Sequence, residues 1–154
     1  MRLDQISCEL EINTIEEGFT NITKDINHWI KQEKITKGIL HLMVLHTSAS
    51  LTINENADSR VLYDLSNYIQ AIVPQEGFKK ISGQGSINEY THADEGPDDM
   101  PAHIRTALTN NSLNLSIEDS LLKLGTWQAI YLWEHRRNGA IRKVNLHFIG
   151  EFNK

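Results

Sequence analysis

The chain has one cysteine, three prolines, no net positive charge and no long apolar run. A lone Cys8 has no intrachain partner, so an internal disulfide is excluded and a reducing compartment, the cytoplasm, is expected. The opening MRLDQISCEL lacks the apolar stretch of a secretory signal. The most apolar segment, Ile39 to Leu45, is interrupted by His41 and falls far short of the ~20 residues that cross a bilayer, so no membrane partner is expected. Fifteen Lys and Arg stand against twenty Asp and Glu, and they are scattered. With a net charge of −5 there is no basic stripe to neutralise a phosphate backbone, which argues against a nucleic-acid partner.

What is present is an ordinary globular composition, 40% apolar and 23% charged over 154 residues, the size of a single domain spanning 1–154. Ile6, Cys8, Leu10 and Ile12 alternate with polar residues, the period of a half-buried strand. Phe19, Ile22, Ile26, Trp29 and Ile30 recur every three or four residues and predict a helix ending before Gly38. Gly38 to Val44 is apolar on both alternating faces and predicts a central strand. It leads through His46-Thr47-Ser48-Ala49-Ser50 to a further strand at Leu51 to Ile53.

Asp58 is placed to cap a helix whose apolar positions run from Val61 to Ile72. From Gln75 to Gly96 no period survives, and the stretch 77–89 is a candidate lid. Asp98-Asp99-Met100-Pro101 opens a helix running to about Thr109. Strands are expected at Leu113 to Ile117, Leu121 to Leu124, Trp127 to His135 and Arg142 to Ile149, with Asn138-Gly139 as a hairpin turn. The sum is an α+β fold of about seven strands and three helices, without strict βαβ alternation or a glycine-rich phosphate loop.

The seven histidines divide by context. His28, His41 and His147 fall inside regular elements and read as structural or solvated, and His135 is left open. His46, His92 and His103 stand where regular elements meet loops, the positions from which a scaffold presents functional groups. His103 follows Asp99 by one helical turn near a positive helix end, which favours a neutral imidazole with a lone pair for a metal or a proton. Asp99 either orients that ring or caps the helix together with Asp98. His46, His92 and His103 together would make a tri-histidine site with an open position for water or substrate.

Glu134 closes the otherwise apolar face formed by Gln128, Ile130 and Leu132. It is either paired with a cation such as Arg136 or placed for acid–base work. Arg105, Arg136 and Arg137 are candidate anion ligands or solvated surface, and Asn54-Glu55-Asn56 supplies turn chemistry or polar ligands.

Four motifs now coincide. His46-Thr47-Ser48-Ala49-Ser50-Leu51-Thr52-Ile53-Asn54-Glu55-Asn56, Asp98-Asp99-Met100-Pro101-Ala102-His103-Ile104, Gly125-Thr126-Trp127-Gln128 and Glu134-His135-Arg136, in this order, closely resemble the YjbQ-like family of secondary thiamine-phosphate synthases. The resemblance spans nearly the whole chain. It implies a two-sheet β-sandwich, a homotrimer and a metal-capable pocket near the histidine motifs. Carried over by position, it singles out His46, Asn54, Glu55, Asp99, His103, Trp127, Gln128, Glu134, His135 and Arg136, with His92 aligned in the loop.

The implied reaction joins a hydroxymethylpyrimidine pyrophosphate to a thiazole phosphate and releases pyrophosphate. In that scheme Arg136 and a metal on His46, His92 and His103 would meet the departing pyrophosphate, and Trp127 would shield the pyrimidine cation. His103, Glu134, Arg136 and Asp99 are thus the expected catalytic set, and Asn54, Glu55, Trp127, Gln128 and His135 the expected substrate contacts. The expected ligand is a small anionic or phosphorylated metabolite. Histidines favour zinc, whereas pyrophosphate chemistry ordinarily uses magnesium. Two other readings stand beside the synthase: a metal-dependent hydrolase with Glu134 as general base, and a non-catalytic trimeric binding protein for a metal or metabolite.

Overall fold

A computed structural model describes residues 4–83 and 85–153, and the descriptions below concern these. Positions 1–3, 84 and 154 of the expected 1–154 domain, and so parts of the opening segment and of the 77–89 loop, lie outside them. The described residues form the strands β1 (Asp4–Asn13), β2 (Glu16–Asn21), β3 (Ile35–Val44), β4 (Ala49–Glu55), β5 (Ser112–Glu118), β6 (Leu121–Leu122), β7 (Gln128–Asn138) and β8 (Ile141–Phe152). The helices are α1 (Thr23–Gln32), α2 (Ser59–Ile72) and α3 (Asp99–Leu108).

The expected α+β sandwich is present. One antiparallel sheet has the order β1-β8-β3-β5-β6 and the other β2-β7-β4. Between them Leu40, Leu42, Leu51, Ile130, Leu132, Leu146 and Phe148 are fully buried in one cluster, to which α1 adds Ile26, Trp29 and Ile30. Alternation fixes the register, since a slip of one residue would turn each apolar row outward.

Eight strands replace the seven expected, because Glu16–Asn21 is a strand and not the start of a helix. Gly18, at φ +137°, sits at a bulge in the β2–β7 pairing, and Phe19 then lies opposite Trp133 and stacks on it at 4.5 Å. Stacking of this aromatic pair overrides the three-and-four spacing. The helix begins only at Thr23, whose N–H donates to Asn21 Oδ1. Asn138-Gly139 is likewise no hairpin turn, because β7 and β8 belong to different sheets. Gly139 is needed for space: a Cβ there would collide with the Thr14 carbonyl. Two sheet-crossing corners, 14–15 and 139–140, pack backbone to backbone, with Thr14 N–H donating to the Ala140 carbonyl and Gly139 N–H to that of Ile15.

α2 is capped as expected by Asp58, whose carboxylate accepts from Arg60 N–H. The helix fully buries only Ile69 and leaves Tyr63, Tyr68 and Ile72 exposed. α3 packs on β7 and β4, which brings its first turn to the β7 end where Glu134 and Arg136 stand.

Candidate functional site

α3 begins with Asp98 at its N-cap position, but neither the bland capping role nor a solvated one describes its side chain. Asp98 Oδ2 accepts from Arg136 Nε and from the Arg137 backbone N–H, both at 3.0 Å. Asp99 is buried, and its Oδ1 accepts from the same guanidinium at 2.5 Å. Arg136 also donates to the Glu95 carbonyl at 2.8 Å. One arginine on β7 thus clamps the end of the 73–98 loop and the first turn of α3. This is a positioning role for a residue expected to meet substrate. Burial works to raise the Asp98 carboxyl, but the bonds from Arg137 and Arg136 outweigh it and hold the pKa below the ordinary value.

One turn beyond Asp99, His103 Nδ1 lies 3.1 Å from the Thr47 carbonyl oxygen. A carbonyl only accepts, so Nδ1 carries a proton, and in the neutral ring Nε2 keeps a lone pair. That lone pair sits 3.6 Å from Asp99 Oδ1, while His92 Nε2, delivered by the loop, lies 2.9 Å from Asp99 Oδ2. The His92 and His103 rings are 5.4 Å apart. Asp99 Oδ2 is buried and takes no hydrogen bond, although His92 stands beside it. His92, Asp99 and His103 therefore offer three ligand atoms within 4.8 Å of one another.

This donor set fits a divalent ion of the zinc type. Asp99 Oδ2 carries no hydrogen bond, and the Thr47 carbonyl supplies the outer bond that would orient a ligating imidazole. The set differs from the tri-histidine expected from sequence: Asp99 takes the third place and His46 stands outside the group. His46 Nδ1 instead accepts from the Ser48 backbone N–H at 3.0 Å. Burial, then the charge of Arg142, with smaller contributions from His103 and Arg136, lowers its pKa below the ordinary imidazole value.

Beside the cluster lies a cleft of about 700 Å³ lined by His46, Glu95, Asp98, Arg136, Arg137 and Arg142, among others. Arg142, unremarked in the sequence, is the partner of Glu134 in place of Arg136: its Nε and a terminal nitrogen meet the two carboxylate oxygens at 2.7 and 2.9 Å. Thr14 donates to the same carboxylate at 2.8 Å, and the Arg136 backbone N–H does so at 3.0 Å. Burial pushes the Glu134 pKa up, yet these four bonds prevail and hold it below the carboxylate norm. So saturated a carboxylate has no free basic oxygen for general-base work.

His135 is fully buried on the other face of β7, its Nε2 2.8 Å from Ser50 Oγ, with no access to a substrate. Arg105, also buried, is held by Glu17 at 2.6 Å and by the Val73 carbonyl at 3.0 Å, which removes it from the anion ligands.

Asn54, Glu55, Trp127 and Gln128 are not brought to this site. In register Glu55 pairs with Gln128 and Ala49 with Glu134, so these four occupy the opposite end of the sheet. Gln128 and Arg136 are separated by about 26 Å of extended strand. There Asn54 Oδ1 accepts from Glu55 N–H within β4, Gln128 Oε1 accepts from Gly125 N–H, and Trp127 is 63% exposed. Of the residues missed, Arg142 had a signal: it heads the inward row Arg142, Val144, Leu146, Phe148 as Glu134 ends its own. The peptide group between Thr47 and Ser48 had none, because backbone contacts carry no residue signature.

Compared with known proteins, residues 8–151 match the family model described as UPF0047 protein YjbQ-like. A UPF0047 protein of Synechocystis sp. is 41% identical over 142 residues, 92% of this chain and 90% of that one. The UPF0047 protein YjbQ of Escherichia coli O157:H7 is 36% identical over 143 residues, covering 92% and 96%. Among solved structures, an uncharacterized conserved protein of the same family from Clostridium acetobutylicum superposes with a TM-score of 0.76 at 30% identity, over 92% of this chain and 98% of that one. A protein of unknown function from Sulfolobus solfataricus, 18% identical, shares the fold with a TM-score of 0.80 over 97% and 100% of the two chains.

Proposed function

The chain belongs to the UPF0047 YjbQ-like family, and on that premise we propose that it is a metal-dependent enzyme acting on a small phosphorylated metabolite. The observation that supports this most is the convergence of His92, Asp99 and His103 on one point, beside a cleft walled by three arginines. His92 Nε2, Asp99 Oδ2 and His103 Nε2 would hold the ion. A divalent cation there supplies Lewis acidity toward a phosphoryl or pyrophosphoryl oxygen.

The chain's own groups do the rest. Arg136 fixes Asp99 and the loop carrying His92, so the ligands are arranged before substrate arrives. Arg137, whose exposed guanidinium lines the cleft, is the cation freest to meet a phosphate. Within the family, the finer reading is the synthase reaction: the pyrimidine methylene–oxygen bond breaks, a bond to the thiazole nitrogen forms, and pyrophosphate leaves with the bonding electrons.

One observation favours hydrolysis as the second reading. The residues lining the cleft include no Phe, Tyr or Trp to shield a pyrimidine cation, and Trp127 lies at the far end of the sheet. We further propose assembly as a homotrimer, supported by the exposed apolar stripe of α2, and a cytoplasmic setting, which suits the single free Cys8. No helix among the described residues is long and apolar enough to cross a membrane.

The test is a paired assay of protein whose metal content has been measured. With both precursors present, thiamine phosphate formation supports the synthase. Release of phosphate or pyrophosphate from the pyrimidine substrate alone, with no coupled product, supports the hydrolase. Neither activity in the zinc-, manganese- or magnesium-loaded protein, with His103→Ala indistinguishable from the native chain, defeats the enzymatic reading.

A further inference from the structure

His46 and His103 are held by two atoms of a single peptide group. The carbonyl of the Thr47–Ser48 peptide faces His103 Nδ1 at 3.1 Å, and its N–H faces His46 Nδ1 at 3.0 Å. The carbonyl can only accept and the N–H can only donate, so the two imidazoles take opposite tautomers. His103 is protonated on Nδ1 and offers an Nε2 lone pair to the ligand cluster. His46 must keep its lone pair on Nδ1, and its one ring proton is therefore on Nε2. A protonated nitrogen cannot coordinate a metal, whereas it can donate a hydrogen bond. His46 is exposed and lines the cleft, and its Nδ1 edge is already spent on Ser48, so the atom it offers to a bound molecule is Nε2–H.

We infer that His46 is a neutral hydrogen-bond donor to the phosphoryl oxygens of the substrate and not a ligand of the metal. The inference rests on the proposed cluster of His92, Asp99 and His103 for its setting, and it assigns to His46 the part of a substrate-positioning group. The groups surrounding it are Arg136 and Arg137 from β7, Arg142 from β8, and Glu95 and Asp98 from the loop before α3. An uncharged donor adds direction to this wall without adding charge. It also leaves the Thr47–Ser48 peptide undisturbed, on which the His103 tautomer depends.

The experiment has two parts. Long-range proton–nitrogen correlation spectra of uniformly labelled, metal-free protein at pH 7.5 report the tautomer of each imidazole directly. The expected result is Nε2–H for His46 and Nδ1–H for His103. An Nδ1–H form of His46, or a mixture of both forms, overturns the inference whatever the metal does.

The second part measures zinc affinity by chelator competition, and pyrophosphate affinity with and without zinc by calorimetry. His46→Gln places an amide N–H near the Nε2 position. It is expected to keep zinc affinity within about threefold and most of the pyrophosphate affinity. His46→Ala is expected to weaken pyrophosphate binding roughly 10- to 100-fold, the effect of losing one hydrogen bond to a charged group. Loss of zinc from His46→Gln to the extent seen in His103→Ala would make His46 a ligand after all. Unchanged pyrophosphate affinity in His46→Ala would remove its role as donor. Failure of the native protein to bind zinc, with the two tautomers as expected and pyrophosphate affinity falling in His46→Ala, defeats the metal reading and leaves the donor assignment standing.

Discussion

Asp99 is shared between two partners of opposite demand: its Oδ1 accepts from Arg136, and its Oδ2 faces His92 at 2.9 Å without accepting from it. The arginine balances a buried negative charge, and the second oxygen is left as a bare acceptor. A buried acceptor without a donor costs about 1–3 kcal/mol, which a cation bound at that point would recover.

Asp99→Asn tests this division. Asparagine can keep the contact with Arg136 through its oxygen, but it then puts an NH₂ group where the lone pair is required. Zinc affinity should fall about 100-fold or more, while the melting temperature without metal changes little or rises. Chelator competition and differential scanning calorimetry on the same samples would decide it, and near-native zinc affinity in the variant would remove Asp99 from the ligand set.

Arg136→Met separates positioning from binding. The clamp on Glu95, Asp98 and Asp99 would be lost, so hydrogen exchange across 92–99 should accelerate while that of β3 and β8 stays native. Zinc affinity should drop about 10- to 100-fold, as for the loss of other groups that orient metal ligands. Exchange that remains native over 92–99 would show the loop to be held by other contacts.

Glu134 and Arg142 join the two sheets at one end of the core, and both are buried. Removing one partner of a buried pair strands the other charge, so Arg142→Met should cost about 3–5 kcal/mol. The double variant Glu134→Gln with Arg142→Met should recover part of that loss. Urea unfolding of the native chain, Glu134→Gln, Arg142→Met and the double variant measures both effects, and additive losses would mean that the residues act independently.

The strands were legible because β1 alternates and β3 is apolar on both faces, while their arrangement as a two-sheet sandwich followed from the motif resemblance. Helix α3 was legible from its acidic first turn, and the pairing of Asp99 with His103 from helical spacing. What escaped was set by distant partners. Phe19 reads as helical until Trp133 is there to stack on it, and Gly139 reads as a turn until the Thr14 carbonyl is seen beside it. The cluster groups Asp99 with His92 and His103 and leaves His46 outside it, an arrangement that depends on how two separate loops meet α3, which sequence does not show. Nor does sequence show that Ser48 N–H already occupies His46. Gly139→Ala should therefore destabilise by about 1–3 kcal/mol through overpacking, whereas Gly83→Ala, at φ +69° in open space, should cost only the strain of its backbone angle.

His135 makes stability depend on mild acid. Burial, with help from Arg105, lowers its pKa from 6.5 to about 4, so the folded protein keeps it neutral while the unfolded chain protonates it near 6.5. The unfolded state therefore binds more protons between these values. Stability is intact above pH 6.5, falls as pH drops toward 4, and loses no more below that from this residue, in all about 3 kcal/mol. Glu134, with its depressed pKa, adds a further loss as its carboxylate is protonated at lower pH. In His135→Gln the decline between pH 6.5 and 4 should flatten. An unchanged slope in denaturant titrations across that range would assign the acid sensitivity to other groups.

α2 carries the proposed assembly surface. Val61, Leu65, Tyr68 and Ile72 recur at spacings of four, three and four, so they form one stripe, and Tyr68 is 67% and Ile72 50% exposed in the isolated chain. A helix with a single fully buried side chain, Ile69, gains little from packing within its own subunit, and an exposed apolar stripe of this kind marks a contact surface. If it packs against other copies, light scattering at micromolar concentration should give three times the 17.6 kDa monomer mass. Leu65→Glu should then release monomers, because an unpaired carboxylate in an apolar contact costs several kcal/mol. On a face that contacts nothing, the same change should alter stability by less than about 0.5 kcal/mol and leave the mass as it was. A native chain that scatters as a monomer would end the trimer proposal. A trimer that survives Leu65→Glu would move the contact to another face.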